Sequence, residues 1–418
     1  MKIIVEPTNF IKGLIKISGS KNAALPLMAC SMLTDDVIVL NNIPNISDVM
    51  LMKKILEDVG VKVEYLEEKK KMILQKIKIK DITNLDNIKK IRASLYVIGG
   101  LVANHKKFNT CYPGGCSFSN RPIDYHLEVF KVLGYKITEN NDILELKSRR
   151  KNKKNLIFRM NQKSVGTTIN ILFTSVKRKN TTIIKNASLE PEVLEVIKML
   201  KLMGANIIIE ENAEIKIDGV KNLKGATFNV MSDRIEAGSY MLLASAVDKS
   251  DIVIENINSC YMREVINTIK KLGVNVIDNK SHIRIIKNFP IIGIKQIAST
   301  YPSFPTDLQQ ILCVTCTKAI TMSMIVDEIY PKRLTHIEEL KKVNGNVFVN
   351  NNVIYINPSV LSGKNIYAHD LRCGFACIVM GCIMKEKVQI ENAEIILRGY
   401  ENLVYKLNSI GIKCQIIE

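Results

Sequence analysis

The sequence predicts an α/β protein of two domains, each made of three copies of one helix-and-strand unit. Three observations predict it. The chain has 418 residues, more than one hydrophobic core usually supports, so two domains of roughly 200 residues are expected. A segment in which an amphipathic helix ends in glycine and leads into a β-branched strand recurs along the whole chain. Ahead of each copy lies a helix that is apolar all round.

The recurring segments read DVMLMKKILEDVGVKVE, DYHLEVFKVLGYKITE, EVLEVIKMLKLMGANIIIE, EVINTIKKLGVNVI, HIEELKKVNGNVFV and NLVYKLNSIGIKCQII. Their glycines, Gly60, Gly134, Gly204, Gly273, Gly345 and Gly411, are 74, 70, 69, 72 and 66 residues apart. In each, apolar residues step by three and four, the signature of a helix with one buried face. The glycine can take the left-handed conformation that ends a helix and turns the chain into a strand.

The second helix of each copy, AALPLMACSML, ASLYVIGGLVA, TINILFTSV, AGSYMLLASAV, LQQILCVTCT or CGFACIVMGCIM, lacks a polar face and must be buried. Strands such as VIVLNNI, DIVIENI and TMSMIVD follow most of them, and further strands such as MILQKIK and HIRIIK close the unit. A period near 70 residues exceeds that of solenoid repeats, so each copy is a full supersecondary unit. Six copies suggest three plus three around two buried helix bundles, with the joint near Val230–Asp233.

Composition narrows the function classes. Hydrophobic residues at 47% and charged residues at 24% describe a globular protein. The net charge of +18 favours acidic partners. Lysine is scattered, however, and no aromatic residues interleave with the dense runs Lys69–Lys71 and Arg149–Lys154, so nucleic-acid binding is not expected. Ten cysteines at irregular positions, several in apolar runs, are no disulfide framework and suit a reduced, cytoplasmic setting. The N-terminus has no signal-peptide pattern. The longest apolar stretch, Cys373–Met384, is too short to span a bilayer.

Polar loops open the buried helices: Gly19-Ser20-Lys21-Asn22, Lys90-Ile91-Arg92, Lys163-Ser164-Val165-Gly166, Ser232-Asp233-Arg234, Phe304-Pro305-Thr306-Asp307 and His369-Asp370-Leu371-Arg372. Helix N-termini with Lys and Arg beside them suit phosphate and carboxylate. Ordinary N-caps would give the same residues at any single loop. Cys116 stands apart from the other cysteines. It lies in Pro113-Gly114-Gly115-Cys116-Ser117, a turn-forming run, with Arg121 near enough in sequence to favour a thiolate. Pro122 suits the first turn of the next helix. Cys313 and Cys316 have CxxC spacing but sit in an apolar helix without a second pair, so a core position outweighs a zinc site. The five histidines are dispersed. Neither a P-loop nor GxGxxG follows a strand, which leaves kinase and dinucleotide-binding readings without support.

At these residues the chain resembles the UDP-N-acetylglucosamine 1-carboxyvinyltransferases. The likeness runs the length of the chain and is carried by GSKNAALPLMA (19–29), IRAS (91–94), PGGCSFSNRPIDYH (113–126), KSVGTT (163–168), LEPEV (189–193), SDRIEAG (232–238), SFPTDLQ (303–309), DLR (370–372) and RGYE (398–401). The cysteine loop separates this family from its relative that makes 5-enolpyruvylshikimate 3-phosphate.

The resemblance implies two inside-out α/β barrel domains of three βαβαββ-like units each, with pseudo-threefold symmetry. One domain would be residues 21–231, the other residues 1–20 with 232–418, and the active site would lie between them. The implied reaction moves enolpyruvyl from phosphoenolpyruvate to the sugar 3′-hydroxyl and releases phosphate. Lys21, Asn22, Arg92, Arg121, Arg372 and Arg398 match positions that hold phosphoenolpyruvate. Cys116 matches the general acid and Asp307 the base, with Lys21 and Asp370 also matching catalytic positions. Asn22, Arg92, Arg121, Pro122, Ile123, Asp124, Tyr125, Lys163, Ser164, Val165, Gly166, Asp307 and Ile329 match the UDP-sugar site, and Arg333 matches an arginine of domain closure. No cofactor or metal is implied, membrane insertion is not expected, and a monomer is.

The sequence departs from the family pattern at Leu397, at Cys373-Gly374-Phe375 and at Ala237. Leu397 puts the placement of Arg398 in question, while the others bear on helix packing. Three other readings stay open: the shikimate-type transferase, a non-catalytic UDP-sugar-binding paralogue, and a basic nucleic-acid binder. The first predicts no cysteine loop, the second degraded site residues, and the third salt-sensitive DNA binding.

Overall fold

The computed structural model describes residues 1–82, 84–114, 123–148 and 154–417. The chain divides into two compact units. One joins Met1–Ser18 to the residues from Ser232 onward, and the other comprises the described residues between Gly19 and Met231. Each unit has its own apolar core.

The repeat is complete in five copies, each a four-stranded sheet with the same order of pairing. In the copy that begins at Phe10–Lys16, this strand runs parallel to Lys249–Glu255. Lys249–Glu255 is antiparallel to His282–Lys287, and that strand is antiparallel to Asn275–Asp278. The unit therefore reads β-α-β-α-β-β. Lys295–Ala298, Ser323–Asp327, Val353–Ile356 and Val347–Asn350 repeat it strand for strand. In the remaining sheet of this unit, Asn365–Tyr367 pairs with Val388–Glu391, and the chain's first strand, Lys2–Val5, lies between Val388–Glu391 and Cys414–Ile417. The other unit contains two four-stranded sheets and a three-stranded one formed by Lys107–Cys111, Ile143–Ser148 and Tyr135–Asn140. One of its sheets takes its edge strand, Ala226–Asn229, from the far end of the unit, parallel to Ile38–Asn41. Among the described residues the sheets are separate and open. Hydrogen-bonded strands therefore close no barrel among the described residues.

The six apolar helices are buried as their composition requires. In Leu371–Ile383, every residue from Arg372 to Cys382 is buried, and in Arg234–Ala246 every residue from Ile235 on is buried. Gln309–Cys316 is buried throughout, and Lys21–Ala29, Ser94–Asn104 and Val165–Ser175 are largely enclosed. Helix packing here is close enough to demand glycine: a Cβ on Gly99 would sit 2.2 Å from Asn170 Oδ1 on the neighbouring helix. The amphipathic partners, among them Ser47–Asp58, Pro191–Leu202, Arg263–Lys271 and Thr335–Lys342, bury one stripe each.

Five of the repeat glycines, Gly60, Gly134, Gly204, Gly273 and Gly411, have φ between 88° and 97°. Gly345 differs from the expectation. Asn344, one residue earlier, takes the left-handed turn at φ 63°, because asparagine tolerates that region.

Among the described residues two chain crossings run between the units, and each is tied down on its own side. Ser20 N–H donates to Met231 O at 2.7 Å, and Asp233 N–H donates to Ser18 O at 2.9 Å. Below Ser18 lies a buried polar cluster. Lys406 Nζ is 2.5 Å from Glu236 Oε1 and 2.7 Å from Ser18 Oγ. Ser18 Oγ donates to Glu401 Oε2 at 2.6 Å, and Ser18 N–H donates to Glu236 Oε2 at 2.9 Å.

Candidate active site

In the unit that contains the chain start, one carboxylate sits between two arginines. Asp307 lies in the short turn Thr306–Leu308, ahead of the helix Gln309–Cys316. Arg333 Nη1 donates to Asp307 Oδ1 at 2.8 Å. Arg372 donates to Oδ2 through Nη2 at 3.0 Å and Nε at 3.3 Å. The side chains of Arg333 and Arg372 are 4% and 3% exposed, and that of Asp307 is 25% exposed. Burial disfavours charge on both guanidiniums, but Asp307 more than restores it, with Asp370 helping at Arg333 and Tyr400 at Arg372; both pKa values lie above the ordinary value. The result is a partly open carboxylate with two fixed cations behind it.

Asp370 supports this arrangement from below. Its Oδ1 caps the helix Leu371–Ile383 by accepting from Arg372 N–H and Cys373 N–H at 2.9 and 3.1 Å. Its Oδ2 accepts from Thr335 Oγ1 at 2.9 Å and Gln310 Nε2 at 3.2 Å. Burial alone would raise the Asp370 carboxyl; the Arg333 charge and these hydrogen bonds outweigh it and hold the pKa below the usual range. Asp327 ties the next loop in. It accepts from Thr306 Oγ1 at 2.5 Å and from the backbone N–H groups of Ile329 and Tyr330 at 2.9 Å each, which fixes Ile329 relative to Asp307. Arg398 ends the turn Ala393–Arg398 in the same unit and is partly buried.

In the other unit, Lys21 and Asn22 begin the helix Lys21–Ala29, which Ser20 caps through Ala23 N–H. Lys21 Nζ lies 3.3 Å from the buried Asp48 Oδ2, an ion pair with side chains 12% and 6% exposed. Ser164 caps the helix Val165–Ser175, accepting from Thr167 N–H, and leaves Lys163 exposed just before it. Ile123 precedes the helix Asp124–Val132, which carries Asp124 and Tyr125 in its first turn. His126, in the same turn, joins the two groups: a Cβ on Gly166 would be 3.2 Å from its Nε2, and its Nδ1 is 2.8 Å from Asn170 Nδ2. Burial pushes the His126 pKa down to about 3, and the nearby Arg92 charge adds to that.

The native state therefore refuses a proton at His126 that the unfolded chain accepts near pH 6.5. The sign follows: as pH falls from about 6.5 towards about 3, the unfolded state binds the extra proton and stability is lost, by about 1.4 kcal/mol per pH unit for this group. A His126→Gln variant is expected to show a shallower acid dependence of unfolding free energy over that window in urea titrations. An unchanged slope would remove His126 from the account.

Cys116, Arg121 and Pro122 lie outside the described residues. Thus the structure brings together Asp307, Arg333, Arg372 and Asp370, with Ile329 held beside them, and separately gathers Ile123, Asp124 and Tyr125 with Gly166. Of the loops that open buried helices, those at Ser20, Ser164, Asp233 and Asp370 are N-caps. Asp307 is not; its carboxylate is engaged by arginines instead. Cys313 and Cys316 are buried free thiols. Among the described residues, no group of three or more His, Cys, Asp or Glu is placed to hold a metal ion, and no helix is long and apolar enough to cross a membrane.

The departures from the family pattern fit by packing. Phe375 stacks on Tyr400 at 4.5 Å and meets Tyr240 edge-on at 5.4 Å. Gly374 admits Ile396, whose Cγ1 would lie 2.5 Å from a Cβ there, and Leu397 packs against the core. Asp48, Gln310, Asp327 and Thr335 carry no signal in the sequence beyond a polar side chain, which many surface positions share.

The sequence model of the family described as EPSP synthase (3-phosphoshikimate 1-carboxyvinyltransferase) matches residues 5–407. A UDP-N-acetylglucosamine 1-carboxyvinyltransferase of Halothermothrix orenii is 34% identical over 411 residues, 98% of each chain. One named UDP-N-acetylglucosamine 1-carboxyvinyltransferase 2, of Staphylococcus aureus, is 36% identical over 96% of this chain and 95% of its own. Among solved structures, the enolpyruvyl transferase NikO of Streptomyces tendae superposes with a TM-score of 0.90 at 17% identity, covering 99% of this chain and 98% of its own. EPSP synthase of Acinetobacter baumannii superposes with a TM-score of 0.76 at 16% identity, covering all of both chains. At such identities the structural likeness speaks for the fold. The identity to the curated relatives extends over nearly the whole of each chain, and on that ground this chain belongs to the UDP-N-acetylglucosamine 1-carboxyvinyltransferase family.

Proposed function

We propose that this chain transfers the enolpyruvyl group of phosphoenolpyruvate to the 3′-hydroxyl of UDP-N-acetylglucosamine, releasing phosphate, as the first committed step of peptidoglycan synthesis in the cytoplasm. The observation that carries this reading is Asp307 held between Arg333 and Arg372, in a chain 34–36% identical over nearly its full length to transferases of that name. In this reading, Cys116 gives a proton to the methylene carbon of phosphoenolpyruvate. The sugar oxygen bonds to the central carbon while Asp307 takes the hydroxyl proton. The tetrahedral adduct then loses phosphate and a methyl proton, which restores the double bond. Lys21, Arg92, Arg121, Arg372 and Arg398 balance the phosphate and carboxylate charges, with Asn22 beside them. Lys163, Ser164, Val165 and Gly166 serve the diphosphate, Arg121, Pro122, Ile123, Asp124 and Tyr125 the uridine, and Asn22, Asp307 and Ile329 the sugar. The ionised, hydrogen-bonded Asp370 fits a residue that orients Arg372 and Arg333 during closure. No cofactor or metal is needed for these steps, and a monomer suffices.

Phosphate release from phosphoenolpyruvate, with UDP-N-acetylglucosamine or shikimate 3-phosphate as acceptor, tests the reading. Release with the UDP-sugar is expected; release only with shikimate 3-phosphate would keep the transfer and overturn the acceptor. Cys116→Ser is expected to lose about 10²–10⁴-fold in kcat, and Cys116→Asp to keep more, since a carboxylic acid can donate the same proton. Fosfomycin, an epoxide that mimics phosphoenolpyruvate, is expected to alkylate Cys116 when UDP-N-acetylglucosamine is present. An unchanged intact mass after that incubation would sink the assignment of a reactive thiol.

A further inference from the structure

The guanidinium of Arg372 is held by more than Asp307. Its Nη1 donates to Tyr400 Oη at 3.2 Å, and its Cζ lies 5.6 Å from the centre of the Tyr400 ring. Tyr400 Oη is also 2.8 Å from Ser239 Oγ. Only one direction is open to this second bond. Ser239 Oγ donates its only proton to Ile235 O, 2.7 Å away, one turn earlier in the helix Arg234–Ala246. Ser239 must therefore accept, and Tyr400 must donate its hydroxyl proton to it. That leaves the Tyr400 oxygen lone pairs facing Arg372. The result is a one-way chain from Arg372 Nη1–H to Tyr400, from Tyr400 O–H to Ser239, and from Ser239 O–H to the Ile235 carbonyl.

We propose that Tyr400 is a positioning residue of the transfer reaction, which fixes the plane and rotation of the Arg372 guanidinium so that its remaining N–H groups meet the anionic groups of phosphoenolpyruvate. The inference rests on the assignment of Arg372 to that substrate. Burial makes the arrangement exacting. Arg372 is 2% exposed, Tyr400 1% and Ser239 0%, so water has little access to replace a missing partner. The Tyr400 ring is itself clamped by stacking on Phe375, so the oxygen has little freedom to follow a displaced arginine. With Asp307 on Nε and Nη2 and Tyr400 on Nη1, all three guanidinium nitrogens are held. An arginine held this way binds a planar or tetrahedral anion without first losing side-chain freedom.

Tyr400→Phe keeps the ring and removes the oxygen. The KM for phosphoenolpyruvate is expected to rise about 10- to 100-fold, the range for losing a hydrogen bond to a charged group, while the KM for UDP-N-acetylglucosamine changes less than about 2-fold. A purely structural role would lower stability and the active fraction and leave KM untouched. Ser239→Ala keeps Tyr400 and removes its acceptor; a rise of about 3-fold in the same KM is expected. This variant carries the test alone if Tyr400→Phe does not fold. Wild-type turnover with an unchanged KM for phosphoenolpyruvate in the variant measured overturns the role of Tyr400 alone. Wild-type protein that releases no phosphate with the UDP-sugar overturns the substrate assignment and the inference with it.

Discussion

Asp307→Ala is expected to lower kcat by about 10²–10⁴-fold, the range for removing a general base, and to weaken the fold at the same time. The two effects share a cause. Asp307 is the carboxylate on which Arg333 and Arg372 both converge, and both arginines are almost fully buried. Removing it leaves two buried guanidiniums facing each other without that counter-charge, which costs about 3–5 kcal/mol when a buried pair is broken on one side. Asp307→Asn separates the effects. The amide keeps the side-chain volume and its oxygen still accepts from one arginine, so part of the fold stability returns, but the amide cannot take a proton and turnover stays low. Steady-state phosphate release and urea unfolding on both variants check this. A kcat within 2-fold of wild type in Asp307→Asn would end the assignment of Asp307 as base.

The second large effect lies away from the chemistry. Lys406→Met is expected to destabilise its unit by about 3–5 kcal/mol, because it strands the buried carboxylate of Glu236 and removes a donor to Ser18. Glu236 already has a raised pKa: its burial outweighs the help it receives from Lys406. Without the lysine, the Glu236 pKa climbs further, and the native variant holds a proton that the unfolded chain releases near pH 4.5. The deficit relative to wild type is therefore small at low pH and grows as pH rises above that value, through the already raised pKa of the wild-type carboxyl. Urea midpoints of wild type and variant between pH 4 and pH 8 report it. Glu236→Gln in the same chain should recover part of the loss, since the two residues are in contact. A pH-independent deficit would point to lost packing by the lysine stem instead.

Much of the architecture was legible because it repeats. Six glycines at near-equal spacing marked six helix-to-strand turns, and five carry the left-handed backbone that glycine permits. At the sixth, Asn344 serves instead, a substitution that periodicity alone does not separate from Gly345. The apolar helices were legible because a helix without a polar face has one stable location. Strand exchange was not. Ala226–Asn229 pairs with Ile38–Asn41, and Lys2–Val5 pairs with Val388–Glu391. These partners are nearly 190 and 390 residues apart, and local propensity carries no record of which sheet edge a strand will join.

The candidate site divides the same way. Asp307, Asp370 and Arg372 could be named from motifs, since each stands in a short run with a recognisable resemblance, and Arg333 from its position along the family's length. Their partners could not. Asp48 under Lys21 and Gln310 and Thr335 under Asp370 are ordinary residues until the fold brings them within 3.5 Å of a charge, and Tyr400, though it stands in RGYE, carries no mark in the sequence of its partner Arg372. The sequence by itself determined the repeat, the buried helices, the helix caps and the family, because these follow from spacing, polarity and local hydrogen bonding within a few residues. Only the tertiary structure decided which strand closes which sheet, which buried acid answers which base, and which hydroxyl orients the Arg372 guanidinium. Those choices are made by contacts between residues distant in sequence, where desolvation makes every unpaired polar atom costly.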